Sequence, residues 1–145
     1  MKAEKADLVE KKALDTYVAG GLHCAEVISK TITEVFGSKP AINIPRVASG
    51  FGGGMGKTLE DTCGALTGGI IALGYLYGRD EAGGNVDKVM DLVKSFRKKF
   101  VEKNGSTLCS VILVELGKQE NMMKCKKMTS EVAGMLAELI NERLG

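Results

Sequence analysis

The chain has 145 residues, of which 44% are hydrophobic and 26% are charged, as is typical of one folded domain rather than a disordered segment. Its 20 basic and 18 acidic side chains leave a formal charge of +2, which provides no extended positive surface for nucleic acid or an anionic membrane. We therefore expect a single domain over residues 1–145 that binds no nucleic acid.

The first seven residues carry charges and contain no apolar segment, so they do not resemble a secretory signal. The longest stretch without a charged residue, 62–78, has 17 residues and contains several glycines. A membrane-spanning helix needs roughly 20 predominantly apolar residues. We therefore expect a cytoplasmic protein without membrane insertion, in which this stretch is a buried helix.

Apolar residues recur three and four positions apart along most of the chain, a spacing that is typical of amphipathic helices. No run alternates apolar and polar residues over the length of a strand. Clusters that contain glycine separate the helical patterns. In chain order, the predicted helices cover residues 6–17, 25–36, 59–77, 86–100, 107–116 and 132–140.

The third predicted helix differs from the others because it is apolar nearly all round, which is typical of a buried helix. Gly64, Gly68 and Ala72 lie four residues apart, and such small residues let another backbone approach closely. Association of two copies through this face, giving a homo-oligomer, is the alternative. The fold class we expect is all-α, a single compact bundle of about five to six helices around this Gly/Ala-rich central helix.

The glycine-rich segment 50–58 resembles a phosphate-binding loop, but it lacks the spacing of that motif. The first glycine of the motif would stand at position 51, which is Phe51, and no buried strand precedes it. Nucleotide binding is therefore not predicted. We expect instead a flexible entry to the central helix, with Thr58 as N-cap and Asp61 three residues later in a capping-box arrangement.

The four cysteines stand in or just past the first turn of a predicted helix, and no two of them form a C-x-x-C pair. The start of a helix carries a partial positive charge that stabilises a thiolate, so we expect their pKa values to be lowered. Lysines on both sides of Cys125 favour the same shift. Because the thiolate is the reactive form, the candidate site residues are Cys63, Cys24, Cys109 and Cys125.

The order of these motifs resembles the redox-active four-cysteine family that is named for its C_GCAxxG_C_C pattern. Residues 63–68 read C-G-A-L-T-G, and the glycine-rich segment precedes them. Cys24, Cys109 and Cys125 match the other three cysteines of the pattern, whereas Thr62 stands where one form of the motif has glycine. The resemblance covers nearly the whole chain, and it implies a redox or electron-carrying role.

Three functions agree with these features. The first is dithiol–disulfide exchange or electron transfer, with Cys63 as the attacking thiolate and a second cysteine resolving the mixed disulfide. Its partner would be a redox protein or a small thiol or disulfide, and a thiol–disulfide oxidoreductase activity is one form of it. The second is a four-cysteine metal site for zinc or an iron–sulfur cluster, although no cofactor is firmly implied. The third is a non-enzymatic helical interaction domain with cysteines in its core.

Two further residue types lie beside the cysteines. His23 precedes Cys24, but adjacent helical residues point about 100° apart, so we expect an exposed or helix-capping histidine. Methionine fills gaps in a core more commonly than it binds a soft metal. We therefore expect core positions for the methionines near Cys125, which are Met122, Met123 and Met128.

Overall fold

The computed structural model describes residues 2–39, 41 and 43–144, with side chains from residue 4 onward. No strand forms in these ranges, where β pairing is limited to an isolated antiparallel bridge between Thr62 and Leu108. The prediction of an all-α fold is confirmed. The described helices are α1 (Lys2–Ala19), α2 (Cys24–Phe36), α3 (Ile44–Ala48), a short 3-10 helix (Ser49–Phe51), α4 (Gly64–Tyr77), α5 (Asp87–Asn104), α6 (Cys109–Leu116) and α7 (Met123–Leu144).

The number of α-helices in the described part of the chain is seven, not the expected five to six. The additional helix is α3, which has only five residues and carries Pro45 in its first turn. Five residues complete little more than one helical turn, which is too short for an apolar repeat to show in the sequence. Proline is favoured at this position, since its missing N–H has no partner there in any helix.

One contiguous core holds the helices together. α1 packs along α7, α2 packs along α4, and α5 contacts both α4 and α7. Phe96 and Phe100 of α5 are completely buried, and burial of such a side chain contributes roughly 1.5–3 kcal/mol. The core members from the other helices include Val9, Ala13, Ile28, Ile32, Leu66, Leu73, Val132, Leu136 and Ile140.

Helix α4 begins at Gly64, five residues later than expected, and the predicted capping box is wrong. The Thr58 hydroxyl donates a hydrogen bond to the Gly54 carbonyl (2.6 Å), and the Asp61 carboxylate accepts one from the Thr62 N–H (2.7 Å). The reason is a run of five residues with positive φ, 53–57, which turns the backbone in the left-handed sense. A right-handed helix cannot start until this turn has ended.

The small-residue face of α4 packs directly against the start of α2. A Cβ atom on Gly68 would lie less than 3.0 Å from the backbone of Ala25, so the close approach of another backbone is confirmed. The central position is not confirmed for the whole helix, because residues 64–69 are buried whereas Gly74 and Tyr75 are exposed. Among the described residues, no helix combines the length and the apolarity needed to cross a membrane.

Candidate functional site

All four cysteines stand at the start of a helix, as expected from the sequence. Cys24 is the first residue of α2 and Cys109 the first of α6, whereas Cys63 is the N-cap of α4 and Cys125 lies in the first turn of α7. These helix starts surround one cavity of about 850 Å³, and all four cysteines line it. The fold therefore brings together thiols that are separated by up to about a hundred residues of chain.

Backbone pairing fixes the start of α4 against the start of α6. The Cys63 N–H donates to the Thr107 carbonyl (2.7 Å), and the Cys109 N–H donates to the Asp61 carbonyl (2.7 Å). These two hydrogen bonds flank the isolated bridge and satisfy N–H groups that a helix start leaves without an intrahelical partner. The two cysteines are thereby held by main-chain geometry rather than by side-chain packing alone.

Two glycines make room for two of the cysteine side chains. A Cβ atom on Gly64 would lie less than 3.0 Å from the Cys24 sulfur, so this sulfur packs on the residue that follows Cys63. A Cβ atom on Gly54 would lie 2.8 Å from the Cβ of Cys109. Gly54 also has a φ of +72°, within the left-handed run of the glycine-rich segment. Gly64 of the C-G-A-L-T-G motif and Gly54 of the glycine-rich segment therefore leave the space that two cysteine side chains occupy.

The thiols do not have the lowered pKa values that their helix positions suggested. Burial first, and then the charges of Cys24, Cys109 and Cys125, raise the pKa of Cys63 to about 12, against a hydrogen bond from the Ala65 N–H that lowers it. Burial and neighbouring thiols also raise the pKa of Cys109 and of Cys125. The expectation of lowered pKa values is therefore wrong for these three thiols, because desolvation and mutual repulsion outweigh the helix starts.

The exposure of the thiols also bears on the order of attack. Cys63 is only 5% exposed, whereas Cys24, Cys109 and Cys125 are half-buried. A thiol that is buried and protonated at neutral pH is a poor first nucleophile, because the thiolate is the attacking species. This geometry argues against Cys63 as the first attacking group and suits it to a second, resolving step.

Tyr17 is a site residue that the sequence placed only on the apolar face of α1. Burial raises its pKa, and the charges of Cys24, Cys125 and Cys63 raise it further, as does a hydrogen bond with Cys24. The phenol therefore stays protonated and can donate a hydrogen bond to a thiolate at position 24. No local sequence signal distinguishes this tyrosine from an ordinary core residue.

Gln119, in the segment between α6 and α7, holds Cys125 through both ends of its amide. Its Oε1 accepts a hydrogen bond from the Cys125 N–H (2.9 Å), and its Nε2 donates one to the Cys125 sulfur (3.2 Å). The first contact caps α7, and the second stabilises the thiolate form of Cys125, so it lowers the pKa against the effect of burial.

Replacing Gln119 with alanine is expected to lower the free energy of unfolding by about 1 kcal/mol, through loss of the cap. The same change is expected to slow alkylation of Cys125, because less of the thiol is ionised. Gln119→Glu separates the two effects, since it keeps the oxygen that caps α7 and replaces the donor to the Cys125 sulfur by a negative charge. Urea unfolding and iodoacetamide labelling measure the two effects, and unchanged labelling in both variants would contradict the assigned hydrogen bond.

The sequence predicted the positions of His23 and Met128 correctly and those of Met122 and Met123 incorrectly. His23 is exposed at the N-cap position of α2, and its backbone N–H donates a hydrogen bond to Glu26 Oε1 (2.9 Å), so the expectation of an exposed or helix-capping histidine is confirmed. Met128 is buried, as expected of a core filler. Met122 and Met123 are 43% and 42% exposed and line the cavity, so the core prediction is wrong for these two.

The cysteines do not form a ready metal site. Across residues 2–39, 41 and 43–144, no group of three or more His, Cys, Asp and Glu side chains is placed to hold one metal ion. All four cysteines are free thiols. A four-thiolate zinc or iron–sulfur site needs its ligands around one centre, and this arrangement would have to change to provide that.

Comparison with known proteins identifies the family. No curated protein and no solved structure matches the chain. A family model described as "Putative redox-active protein (C_GCAxxG_C_C)" matches residues 22–139, a range that includes all four cysteines and most of the chain. Together with the C-G-A-L-T-G motif at residues 63–68, this match shows that the chain belongs to the C_GCAxxG_C_C family.

Proposed function

We propose that the protein carries out dithiol–disulfide exchange in its cavity, with Cys24 and Cys63 as the pair that becomes oxidised. The observation that carries the proposal is the convergence of four thiols from four helix starts on one cavity. Cys24 is the more accessible of the two, and its sulfur packs on Gly64, the residue next to Cys63. Among the neighbouring thiolate charges that raise the pKa of Cys63, the charge of Cys24 has the largest effect.

The reaction proceeds in two steps. The thiolate of Cys24 attacks one sulfur of a partner disulfide, forming a mixed disulfide and releasing one thiolate that takes up a proton. The Cys63 thiol then gives up its proton and attacks the Cys24 sulfur, which forms the Cys24–Cys63 disulfide and releases the second thiol. The two cysteines lose two electrons, and these reduce the partner disulfide to two thiols. Tyr17 supports the first step by hydrogen bonding to Cys24.

Burial of Cys63 suits the second step. Susceptibility to oxidation follows thiolate character and exposure, so a buried, protonated Cys63 is protected until the mixed disulfide has formed beside it. Free thiols of this kind are maintained in a reducing compartment, which is why we propose a cytoplasmic location. The partner is a redox protein or a small disulfide.

The two other functions have less support. A metal or cluster site would require the sulfurs to rearrange around one centre, as described above. An interaction domain with core cysteines would bury each thiol, whereas three of the four are partly exposed. All four cysteines line one cavity, whereas cysteines that only fill a core would not need to lie around a shared cavity.

The experiment is a thiol count on reduced protein before and after exposure to a small disulfide. We expect the four free thiols to fall to two, with a Cys24–Cys63 linkage in the non-reducing peptide map. Cys63→Ser is expected to trap the mixed disulfide on Cys24, whereas Cys24→Ser prevents formation of both species. Cys125→Ser is the matched control, which retains the pair and should behave as the wild type.

Three results would contradict the proposal. Thiols that remain unreactive until denaturant is added would indicate an interaction domain with core cysteines. Brown protein that contains iron after anaerobic purification would indicate a cluster. Loss of the disulfide in Cys125→Ser but not in Cys24→Ser would assign the reaction to a different pair.

A further inference from the structure

The walls of the cysteine cavity are mainly apolar. Ligand pockets for organic molecules typically enclose about 300–1,000 Å³, and this cavity, at about 850 Å³, lies in that range. Four thiols could contact one another without a cavity of this volume, so the cavity has room for a ligand. Besides the cysteines and methionines, the apolar lining residues are Val18, Leu22, Leu59, Ile112 and Leu113.

Apart from the thiols, the charged side chains that line the cavity are basic. Among the described lining residues there is no aspartate or glutamate, whereas Lys57 and Lys126 both line it. The ammonium group of Lys126 also lies over the ring of Tyr17, 5.6 Å from its centre. The starts of α2, α4, α6 and α7 add partial positive charges on the same side. A negatively charged group is therefore favoured in this cavity over a positive one.

We infer that the cavity binds a small organic disulfide that has an apolar body and an anionic group. The inference rests on the proposed thiol exchange and specifies its substrate class. The apolar body fills the cavity between Leu59 and Ile112, and the anionic group lies near Lys57 and Lys126. The disulfide is reduced to two thiols while Cys24 and Cys63 become oxidised, so atoms and electrons balance as in the two steps above.

The first test measures binding without any thiol chemistry. Anilinonaphthalene sulfonate is an apolar fluorescent anion, and phenyl naphthylamine has the same ring system without the sulfonate. We expect one molecule of the sulfonate to bind per chain, more tightly than the uncharged probe. Lys126→Gln, with Lys57→Gln as the second variant, is expected to weaken sulfonate binding about fivefold and to leave the uncharged probe unaffected.

A surface variant completes the binding test. Lys98→Gln, a change on the exposed surface of α5, should alter the affinity for neither probe. Equal binding of the two probes, or sulfonate affinity that is unchanged in both Lys126→Gln and Lys57→Gln, would overturn the inference.

The second test compares two aromatic disulfides that release coloured thiols. Dithiobis(nitrobenzoate) carries carboxylates, whereas dithiodipyridine is uncharged at neutral pH. We expect Lys126→Gln to slow exchange with the charged disulfide about fivefold relative to exchange with the uncharged one. Exchange with an unchanged ratio would leave the proposed function intact and overturn the anionic substrate. Sulfonate binding without any thiol exchange would overturn both the proposed function and the assignment of a disulfide substrate. The cavity would then be an anion-binding site only.

Discussion

Gly68→Ala is expected to lower the free energy of unfolding by about 3 kcal/mol, because overpacking a tight helix contact forces the backbones apart. The added Cβ would lie less than 3.0 Å from the carbonyl oxygen and Cα of Ala25 and from a methyl group of Ile28. A side chain can change its rotamer to relieve such a contact, but the backbone of α2 cannot. Urea unfolding at neutral pH measures the effect.

Gly74→Ala provides the matched control on the same helix. A Cβ atom on Gly74 meets no atom within 4 Å, so alanine there is expected to raise stability by about 0.5–1 kcal/mol through its better helix propensity. Opposite signs for the two substitutions would show that contact with α2, rather than glycine itself, determines the effect. A loss of stability of the same size in both variants would contradict this packing.

The contact at Gly68 also bears on the redox pair. Ala25 follows Cys24 in α2, so a displaced Ala25 moves the cysteine away from the start of α4. We therefore expect the Gly68→Ala variant to form the Cys24–Cys63 disulfide more slowly than Gly74→Ala. The non-reducing peptide map described above measures this difference.

Raising the pH from 9 to 12 is expected to remove about 4 kcal/mol of stability through Cys63 alone, because its pKa is about 12 in the folded protein and 9.0 when unperturbed. Above pH 9 the unfolded chain releases the Cys63 proton while the folded chain retains it. Rising pH therefore favours the unfolded state until the folded thiol also ionises. The contribution of Cys63 is complete below pH 9 and is lost as the pH approaches 12.

Cys63→Ser isolates this contribution, because serine does not ionise in the same range. Urea unfolding between pH 8 and pH 10.5 should give a steeper loss of stability in the wild type than in the variant, by about 1 kcal/mol per pH unit above pH 9. The other ionisable groups are present in both proteins, so the difference between the curves reports Cys63 and its interaction with Tyr17. Parallel curves for the two proteins would show that Cys63 is not desolvated as described.

Much of the helical structure follows from local sequence. The apolar spacing in residues 25–36 and 107–116 predicted α2 and α6 closely, because one amphipathic face is a property of a short segment. The positions of the cysteines at helix starts followed for the same reason. The start of α4 did not, since the left-handed run at residues 53–57 depends on hydrogen bonds across the loop, such as that from the Leu59 N–H to the Gly53 carbonyl (2.8 Å).

The sequence alone determined the helical class, the helix-start positions of the four cysteines and the family to which the motif belongs. Only the tertiary structure decided that Cys63 is buried and holds its proton, and that Tyr17 lines the same cavity as the thiols. Helix formation depends mainly on neighbours within a few turns, so sequence spacing reveals it. Desolvation and charge repulsion depend on atoms that are distant along the chain, so the pKa values of the thiols emerge only when the helices pack.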